Sequence, residues 1–342
     1  MPDTRTISAY EDDMNDAVRE AAALLASGEI VAVPTETVYG LAADAFNPEA
    51  VAKVFAAKER PDFDPLIVHI AAYRELAEVA EMPEELESVV KSLAGAFWPG
   101  PLTILLPKSA KVPDLVTSGL PTVAVRQSAN VIFRAIGRAL GRPIAAPSAN
   151  RFGRISPTSA SAVEKELGGR IPLIVDGGAC NQGIESTIIS IELGETRPLI
   201  RVLRAGPVTK EELQKFGKVV IEKRKADAPD APGQLAHHYA PETPLLMFDK
   251  PSDFKPEPDK RYGLISYRGD EKAGYLHLHE WELVEELSPG SGKLQEAAIR
   301  LFYVMRMMDE EGLDAIVVEP VSEVGLGVAI MDRLRKASVK GG

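Results

Sequence analysis

The sequence predicts a mixed α/β protein in two parts: a twisted α/β domain over residues 1–216, a linker over residues 217–244 and a smaller α/β domain over residues 245–342. Three observations support this prediction. Many short apolar segments of strand length stand between only a few segments of helical periodicity in the first part. The linker is rich in Lys, Asp, Ala and Pro, a composition that disfavours regular structure. After it, strands and helices alternate over about 100 residues, which is enough for a separate domain.

The first part contains three predicted helices. Apolar residues recur at helical spacing over residues 14–25, and Gly28 would end this helix. A second helix would carry Lys58 and Arg60 in its last turn, and the capping box of residues 209–212 opens a third. Because strict strand–helix alternation is absent, we expect a mixed sheet that is twisted or largely antiparallel. The predicted strands are residues 30–33, 66–70, 102–106, 122–125, 144–146, 173–175, 186–191 and 199–203.

The last part has a simple strand–helix pattern. Strands are predicted over residues 245–248, 263–267 and 315–318, with a helix that places Leu294, Ala298, Leu301, Met305 and Met308 on one face and a final helix over residues 328–336. Between the last strand and helix stands Gly325-Leu326-Gly327. A dinucleotide-binding loop would need a third glycine at a fixed spacing, so a tight strand-to-helix turn is the preferred interpretation.

Composition excludes several classes of protein. The chain has 342 residues, of which 45% are hydrophobic, so it can form two cores. A single cysteine, Cys180, excludes an internal disulfide and an all-cysteine metal site. The net charge of −11 argues against sequence-independent binding to nucleic acid. No long apolar run or secretion signal is evident, so we expect a soluble cytoplasmic protein without membrane contact.

Common catalytic and nucleotide-binding motifs are also absent. The sequence contains no GxxxxGK[ST] loop, and its five histidines show no metal-ligand spacing. It has neither a Gly-x-Ser-x-Gly elbow nor an evident Cys–His pair, so a covalent mechanism has little support.

Polar residues nevertheless accumulate on or beside the apolar strands. Each has an ordinary explanation: Lys58 and Arg60 could complement a helix dipole, Arg126 could pair with a surface carboxylate, and His69 could be a core imidazole. Their number favours a shared cleft that binds a polyanion through side chains. The candidates are Thr35, Tyr39, Lys58, Arg60, His69, Thr122, Arg126, Ser148, Asn150, Ser156, Ser186, Thr187 and Arg204.

Several of these residues lie in runs that resemble those of a known family, the threonylcarbamoyl-AMP synthases with the YrdC-like fold. The linker residues 232–241 and the ending 325–334 are similar to its long, two-domain branch, and the resemblance extends from about residue 14 to 337. The similar runs are Pro34-Thr35-Glu36-Thr37-Val38-Tyr39-Gly40-Leu41, Lys58-x-Arg60-Pro61, residues 65–70, Trp98-Pro99-Gly100-Pro101-Leu102-Thr103, Ala146-Pro147-Ser148-Ala149-Asn150 and Glu185-Ser186-Thr187-Ile188.

The sequence departs from this family at three places. Asp64 stands where the family usually has Asn, and Ala205 replaces a Pro. Residues 234–237 of the linker are less basic than in other members, which bears on how strongly this linker would hold phosphate.

The resemblance implies a YrdC-like, twisted mixed α/β domain joined by a long linker to a smaller Rossmann-like α/β domain. It implies a nucleotidyltransferase that condenses L-threonine, bicarbonate or CO2 and ATP into threonylcarbamoyl-AMP and pyrophosphate. A carbamate formed on the threonine amine would attack the α-phosphate, so no protein nucleophile is needed. The product would pass to a separate complex that modifies tRNA.

The resemblance also implies roles for individual residues. Lys58 and Arg60 would be catalytic and would hold the ATP phosphates, with Mg²⁺ carried by those phosphates rather than by a protein site. The linker would close over the cleft as a lid. Further ATP-binding residues would be Thr122, Ser148, Asn150, Ser156, Arg204, His238 and Tyr239. The threonine-binding residues would be Thr35, Tyr39, His69, Arg126 and Ser186.

Two other functions remain as alternatives. An RNA-binding module of this fold would show strongly salt-dependent affinity for bare tRNA. A non-catalytic nucleotide sensor would bind ATP without releasing pyrophosphate in a threonine-dependent manner.

Overall fold

The computed structural model of the chain describes residues 3–222, 231–232, 238–248 and 250–338. Within these residues an eleven-stranded mixed sheet dominates the first part, and a four-stranded parallel sheet forms the second. The predicted α/β fold class, with a large mixed domain and a smaller parallel one, is confirmed. No helix among the described residues is long and apolar enough to cross a membrane.

The large sheet has the strand order β1-β8-β2-β3-β7-β4-β6-β5-β9-β10-β11. Parallel and antiparallel pairs are equally frequent among its described strands, so the sheet is mixed rather than largely antiparallel. Its strands are β1 Arg5–Ser8, β2 Val31–Val33, β3 Gly40–Asp44, β4 Ile67–His69, β5 Leu102–Pro107, β6 Thr122–Arg126, β7 Ile144–Ala145, β8 Leu173–Asp176, β9 Thr187–Glu192, β10 Leu199–Arg204 and β11 Lys218–Ile221.

Helices cover both faces of this sheet, which is why its central strands are apolar throughout rather than alternating. Val31 and Val33 of β2 pack with α1 and α6 on one face, while Ala32 packs with α2, α4 and α7 on the other. The helices of this part are α1 Met14–Ala26, α2 Pro48–Lys58, α3 Leu76–Val79, α4 Glu84–Phe97, α5 Asp114–Thr117, α6 Val131–Leu140, α7 Ala160–Leu167 and α8 Lys210–Leu213.

The second part is a parallel sheet with the strand order β12-β15-β13-β14, and α9 and α10 pack with it. Its elements are β12 Leu245–Met247, β13 Tyr262–Ser266, β14 Leu283–Glu286, α9 Leu294–Asp309, β15 Ala315–Val318 and α10 Gly327–Ser338. The motif Gly325-Leu326-Gly327 forms the predicted tight turn before α10. A Cβ at Gly327 would lie 1.8 Å from the carbonyl oxygen of Ser322, so only glycine fits there.

Two local predictions require correction. Helix α2 ends at Lys58, because Glu59 adopts a left-handed conformation (φ 55°), so Arg60 lies beyond the helix instead of in its last turn. The segment predicted as an irregular linker begins with β11, which extends the large sheet by pairing in parallel with β10. The predicted linker residues 234–237 lie outside the described residues.

Candidate active site

A cavity lined by charged, polar and apolar side chains, partly open to solvent, lies beside the ends of β4 and β6. Three linker residues, Pro232, His238 and Tyr239, also line this cavity. Nine predicted site residues line it: Thr35, Tyr39, Arg60, His69, Arg126, Ser148, Arg204, His238 and Tyr239. The sheet therefore brings together residues separated by up to two hundred positions in the sequence.

Arg126 is a buried cation at the end of β6. Its Nη2 lies 2.7 Å from Oε1 of Glu36, its Nη1 donates to the Thr37 hydroxyl at 3.0 Å, and its Nε donates to the Gly100 carbonyl at 3.3 Å. Burial alone would raise the pKa of Glu36, but the Arg126 charge and a hydrogen bond from Ser128 lower it to about 2. The pair is therefore ionised at neutral pH and fixes the orientation of the guanidinium.

His69 is held as a neutral imidazole next to this cation. Its strand β4 is paired with β6 so that His69 lies opposite Arg126, and its ring packs against Phe133 at 4.7 Å between centroids. Burial, followed by the charge of Arg126, lowers the pKa of His69 to about 3. Its Nδ1 atom is buried without a hydrogen-bond partner among the described residues, so it can accept a hydrogen bond from a ligand.

Thr35 and Tyr39 also line the cavity. The Thr35 hydroxyl donates to the Val38 carbonyl at 2.6 Å and accepts from the Thr37 amide at 3.0 Å, which fixes the turn between β2 and β3. The Tyr39 hydroxyl donates to the Gly178 carbonyl at 2.8 Å, and burial raises the pKa of this phenol. Tyr39 is therefore a neutral, rigid part of the wall.

The cationic pair that the sequence singled out is divided in the structure. Arg60 lines the cavity and forms a buried ion pair with Asp64, 2.8 Å from Nη2 to Oδ2. Lys58 does not line it: its Nζ donates to the carbonyl oxygens of Ser148 and Asn150. Burial, and then the charge of Arg60, lowers the pKa of Lys58.

Most of the remaining predicted residues lie behind the cavity wall. Asn150 donates to the Arg151 carbonyl at 2.7 Å, and its Oδ1 is buried without a partner among the described residues. The Ser156 hydroxyl donates to Glu185, and the Ser186 hydroxyl accepts from Arg204 at 3.0 Å. Thr187 donates instead to the Val208 carbonyl.

Thr122 lies apart from the cavity. It begins β6, whereas Arg126 ends that strand, so the two are separated by roughly 13 Å at about 3.3 Å per residue. Thr122 lines a second groove together with Ser190, Glu192 and Arg201. The structure does not place it with the other candidates for ATP binding.

Two residues of the linker close the cavity. His238 stacks edge-on against Tyr239 at 4.1 Å between centroids, and Tyr239 stacks on Phe302 of α9 at 5.4 Å. Tyr239 has a φ of 66°, a conformation that costs energy for a non-glycine residue and persists only where packing imposes it. The amide of Ala240 donates to the Gly153 carbonyl at 2.8 Å, which ties this segment to the first domain.

Several residues of the site were missed by sequence reasoning. Glu36, Thr37 and Glu185 carry direct contacts to the predicted residues, and Arg333 of α10 contacts Glu185. Glu36, Thr37 and Glu185 stand inside the runs that resembled the family, so their polar character in buried segments was a usable signal. Nothing near Arg333 in the sequence indicates its partner, which is 148 positions away.

Three arginines, Arg60, Arg126 and Arg204, line the cavity together with one carboxylate, Glu185, and buried carboxylates pair with two of these arginines. Among the described residues, no group of three His, Cys, Asp or Glu side chains is arranged to hold a metal ion. Such a site can bind a polyanion and orient a neutral or zwitterionic partner beside it.

The fold and the cavity define a two-part α/β protein with an arginine-lined cavity beside its large sheet. A family model described as "Telomere recombination" matches residues 23–206, and one described as "Threonylcarbamoyl-AMP synthase, C-terminal domain" matches residues 208–339. The chain belongs to the threonylcarbamoyl-AMP synthase family, as its sequence runs predicted.

Individual relatives agree with this assignment over nearly the whole chain. The threonylcarbamoyl-AMP synthase of Pyrococcus abyssi is 42% identical, with 94% of each chain covered. That of Bacillus subtilis is 39% identical, over 94% of this chain and 92% of the relative. A crystal structure of P. abyssi Sua5 complexed with L-threonine matches with a TM-score of 0.85 and 40% identity, over 98% of this chain and 97% of that one.

Proposed function

We propose that this chain is an L-threonylcarbamoyladenylate synthase, a nucleotidyltransferase that condenses L-threonine, bicarbonate or CO2 and ATP and releases pyrophosphate. The observation that carries the proposal is that one cavity is lined by three buried arginines and a neutral imidazole: Arg60, Arg126, Arg204 and His69. Two anionic groups, a carboxylate and a triphosphate, require this much positive charge in one site.

Threonine binding is assigned to the end of the cavity near β4 and β6. Arg126 would take the carboxylate, because its guanidinium lines the cavity at the end of β6 and a forked donor matches a carboxylate. His69 would accept a hydrogen bond from the amino acid through Nδ1. Its pKa of about 3 makes it too weak a base to serve as the main proton acceptor at pH 7.

ATP binding is assigned to the end of the cavity near Arg60 and Arg204. Both guanidiniums are buried, and His238 lies within the electrostatic influence of both. Lys58 would contribute a positive charge and hold the loop of Ser148 and Asn150 in place. Magnesium would enter as MgATP, since Mg²⁺ is usually held by substrate phosphates with few protein ligands.

The chemistry then follows from position and charge. The threonine carbamate and the α-phosphate would meet in one cavity, which converts a bimolecular step into an effectively unimolecular one. The arginines would stabilise the charge that develops on the phosphate oxygens. His238 and Tyr239 would exclude water, which protects a labile mixed anhydride from hydrolysis. We assign the reaction to the cytoplasm and the product to a tRNA-modifying transferase complex.

The test is pyrophosphate release from MgATP by the purified protein, with L-threonine and bicarbonate omitted in turn. Release that requires both supports the proposal, and release without threonine contradicts it. Arg126→Lys should raise the KM for threonine at least tenfold, because a point charge cannot replace a forked donor. Arg201→Lys is the matched control, since this arginine pairs with Glu192 on the exposed surface of β10. A salt-sensitive affinity for bare tRNA, without turnover, would favour the RNA-binding alternative instead.

A further inference from the structure

The second domain contributes a fully buried arginine to the region behind the cavity. Arg333 of α10 has no solvent exposure, although α10 is a C-terminal helix far from the first domain in sequence. Its Nε donates to Oε2 of Glu185 at 3.1 Å, and its Nη1 donates to the carbonyl of Ala205 at 2.7 Å. Both partners belong to the first domain, and Glu185 lines the cavity.

The contact with Glu185 continues to a residue assigned to the nucleotide. Glu185 uses one carboxylate oxygen for Arg333 and the other, Oε1, to accept from the Ser156 hydroxyl at 2.5 Å. The next residue, Ser186, contacts Arg204 through both its hydroxyl and its carbonyl at 3.0 Å. The direction of the Glu185 carboxylate therefore affects Ser156 directly and the Arg204 guanidinium through the adjoining backbone.

Arg333 also contacts the linker residue that closes the cavity. Its guanidinium carbon lies 5.3 Å from the centre of the Tyr239 ring, a cation–π distance. The Nη2 atom of Arg333 is buried without a hydrogen-bond partner among the described residues. The other guanidinium nitrogens are paired: besides the contact with Glu185, the carboxylate of Asp332 on the same helix lies 2.9 Å from Nη1, so the buried charge is held between two carboxylates.

Apolar packing also joins the second domain to segments of the first domain that carry site residues. Val38, Ile155 and Ile184 of the first domain belong to the hydrophobic core formed by α9, α10 and the small sheet. Each stands next to a site residue: Tyr39, Ser156 or Glu185.

Helix α9 adds two backbone-level contacts to these segments. A Cβ at Gly183 would lie 2.3 Å from the backbone of Ala298 and Ile299, so this loop lies directly on the helix. Arg306 of the same helix donates to the Ile155 carbonyl at 2.7 Å.

We propose that Arg333 is a positioning residue for the nucleotide end of the cavity, so that the second domain supports the cavity wall from behind rather than only carrying the linker. Arg333 holds Glu185, and through it Ser156 and Arg204, in the geometry that receives the ATP phosphates. This inference rests on the proposed function for the identity of the ligand. It predicts that losing Arg333 weakens nucleotide binding and leaves threonine binding intact, because Arg126 and His69 lie on other elements.

The experiment measures binding of Mg²⁺ with a non-hydrolysable ATP analogue, AMP-PNP, and separately of L-threonine, by calorimetry on the full chain. Arg333→Met should weaken AMP-PNP binding at least tenfold and change threonine binding less than twofold. Arg335→Met is the matched control: it lies on α10 in an exposed pair with Glu323, and both affinities should stay at the wild-type value. An AMP-PNP affinity of wild-type strength in Arg333→Met overturns the proposal.

Two further variants separate positioning from simple stabilisation. Arg333→Met leaves the Glu185 charge buried and unpaired, whereas Arg333→Met with Glu185→Gln removes both charges and should recover the thermal midpoint. If affinity recovers together with stability, the pair is only structural and the proposal fails. Arg333→Lys keeps a positive charge near Glu185, but a lysine cannot contact both the Glu185 carboxylate and the Ala205 carbonyl. This variant should therefore fold and still bind AMP-PNP more weakly than wild type. Wild-type protein that binds AMP-PNP without threonine-dependent pyrophosphate release would contradict the proposed function alone.

Discussion

At the scale of single residues, the buried pair of Glu36 and Arg126 links the site to the pH dependence of stability. The folded-state pKa of Glu36, about 2, lies below the 4.5 of a free carboxyl. A carboxyl group whose pKa is lower in the folded state than in the unfolded state stabilises the fold at pH values above its unfolded-state pKa. This stabilisation is lost as the pH falls towards the folded-state pKa. The shift corresponds to about 3 kcal/mol of unfolding free energy, lost between about pH 4.5 and pH 2.

We therefore expect Glu36→Gln to remove this part of the acid dependence. Urea unfolding followed by circular dichroism between pH 2 and pH 7 gives the free energy of unfolding at each pH. The variant should be less stable than wild type at pH 7 and should approach it near pH 2. Glu280→Gln, in an exposed loop, is the control and should follow the wild-type curve. Parallel curves for wild type and Glu36→Gln would show that Glu36 is not ionised preferentially in the folded state.

Asp64 is one of the positions at which this chain departs from the family it belongs to, which usually has Asn there. Its carboxylate is buried 2.8 Å from Arg60, in the part of the site assigned to the phosphates. Burial raises the pKa of Asp64, although the charges of Arg60 and Lys58 oppose this. An ionised Asp64 reduces the positive potential that a triphosphate would experience.

Asp64→Asn should therefore tighten nucleotide binding, by about tenfold if the lost repulsion is on the order of 1.4 kcal/mol. The KM for ATP in the pyrophosphate assay measures this effect. Arg60→Met should act in the opposite direction: it should abolish turnover and destabilise the fold by about 3–5 kcal/mol, because Asp64 would remain buried without its partner. An unchanged KM in Asp64→Asn would show that this carboxylate is neutral or too far from the phosphates to matter.

At the scale of secondary structure, the position of Lys58 and Arg60 depends on how α2 begins and ends. Asn47 caps the helix, with its Oδ1 accepting from the amides of Glu49 and Ala50, and Pro48 occupies the first turn. At the other end, the left-handed Glu59 turns the chain so that Arg60 leaves the helix axis and enters the cavity.

Asn47→Ala should cost about 1 kcal/mol of unfolding free energy, because two amides at the helix start lose their acceptor. Asn47→Asp retains an acceptor at the same place and should cost far less, which makes it the matched control. Chemical unfolding of the two variants side by side measures the difference. Equal losses in both would mean that the cap does not determine the stability of α2.

The same scale shows how far the sequence could predict this molecule. The strands that carry Arg126 and His69 were predictable, because a run of three apolar residues precedes the polar side chain in each. Strand β3 was missed because all its residues are buried, so no alternation marks it. Strand β11 was read as linker because its apolar run has only three residues, Val219, Val220 and Ile221, between charged neighbours.

The contacts that complete the site were not predictable from local pattern. Glu185 and Arg333 meet because α10 packs against the first domain, and no local spacing reports such a contact. Lys58 was predicted to hold the ATP phosphates, but in the structure its ammonium group donates to the backbone carbonyls of Ser148 and Asn150 and does not line the cavity. Local sequence determines which residues are polar within buried elements, and tertiary packing determines which of them face the ligand.

At the scale of the whole molecule, the two domains share a core. Val38, Ile155 and Ile184 belong to the first domain but pack in the cluster of the second. Opening the first domain alone would expose these residues and would leave the Arg333 and Glu185 charges unpaired in a damaged interface. We therefore expect the domains to unfold together rather than in two separate transitions.

The single cysteine provides a direct measurement of this cooperativity. Cys180 is buried in the core of the first domain, and burial raises the pKa of its thiol to about 12. A thiol in this state reacts extremely slowly, so labelling by a thiol reagent at pH 8 requires opening of the structure.

The logarithm of the labelling rate should fall linearly as the stability of the opened region rises. If the domains open together, the free energy of opening obtained from the labelling rate will depend on urea concentration with the same slope as the free energy of global unfolding. The slopes agree in that case because each measures the surface that opening exposes to solvent. A clearly smaller slope would show that the first domain opens by itself, and rapid labelling without urea would show that Cys180 is accessible in the native state. Bound MgATP and L-threonine should slow the labelling further, since ligands that bind only the folded state stabilise it by mass action.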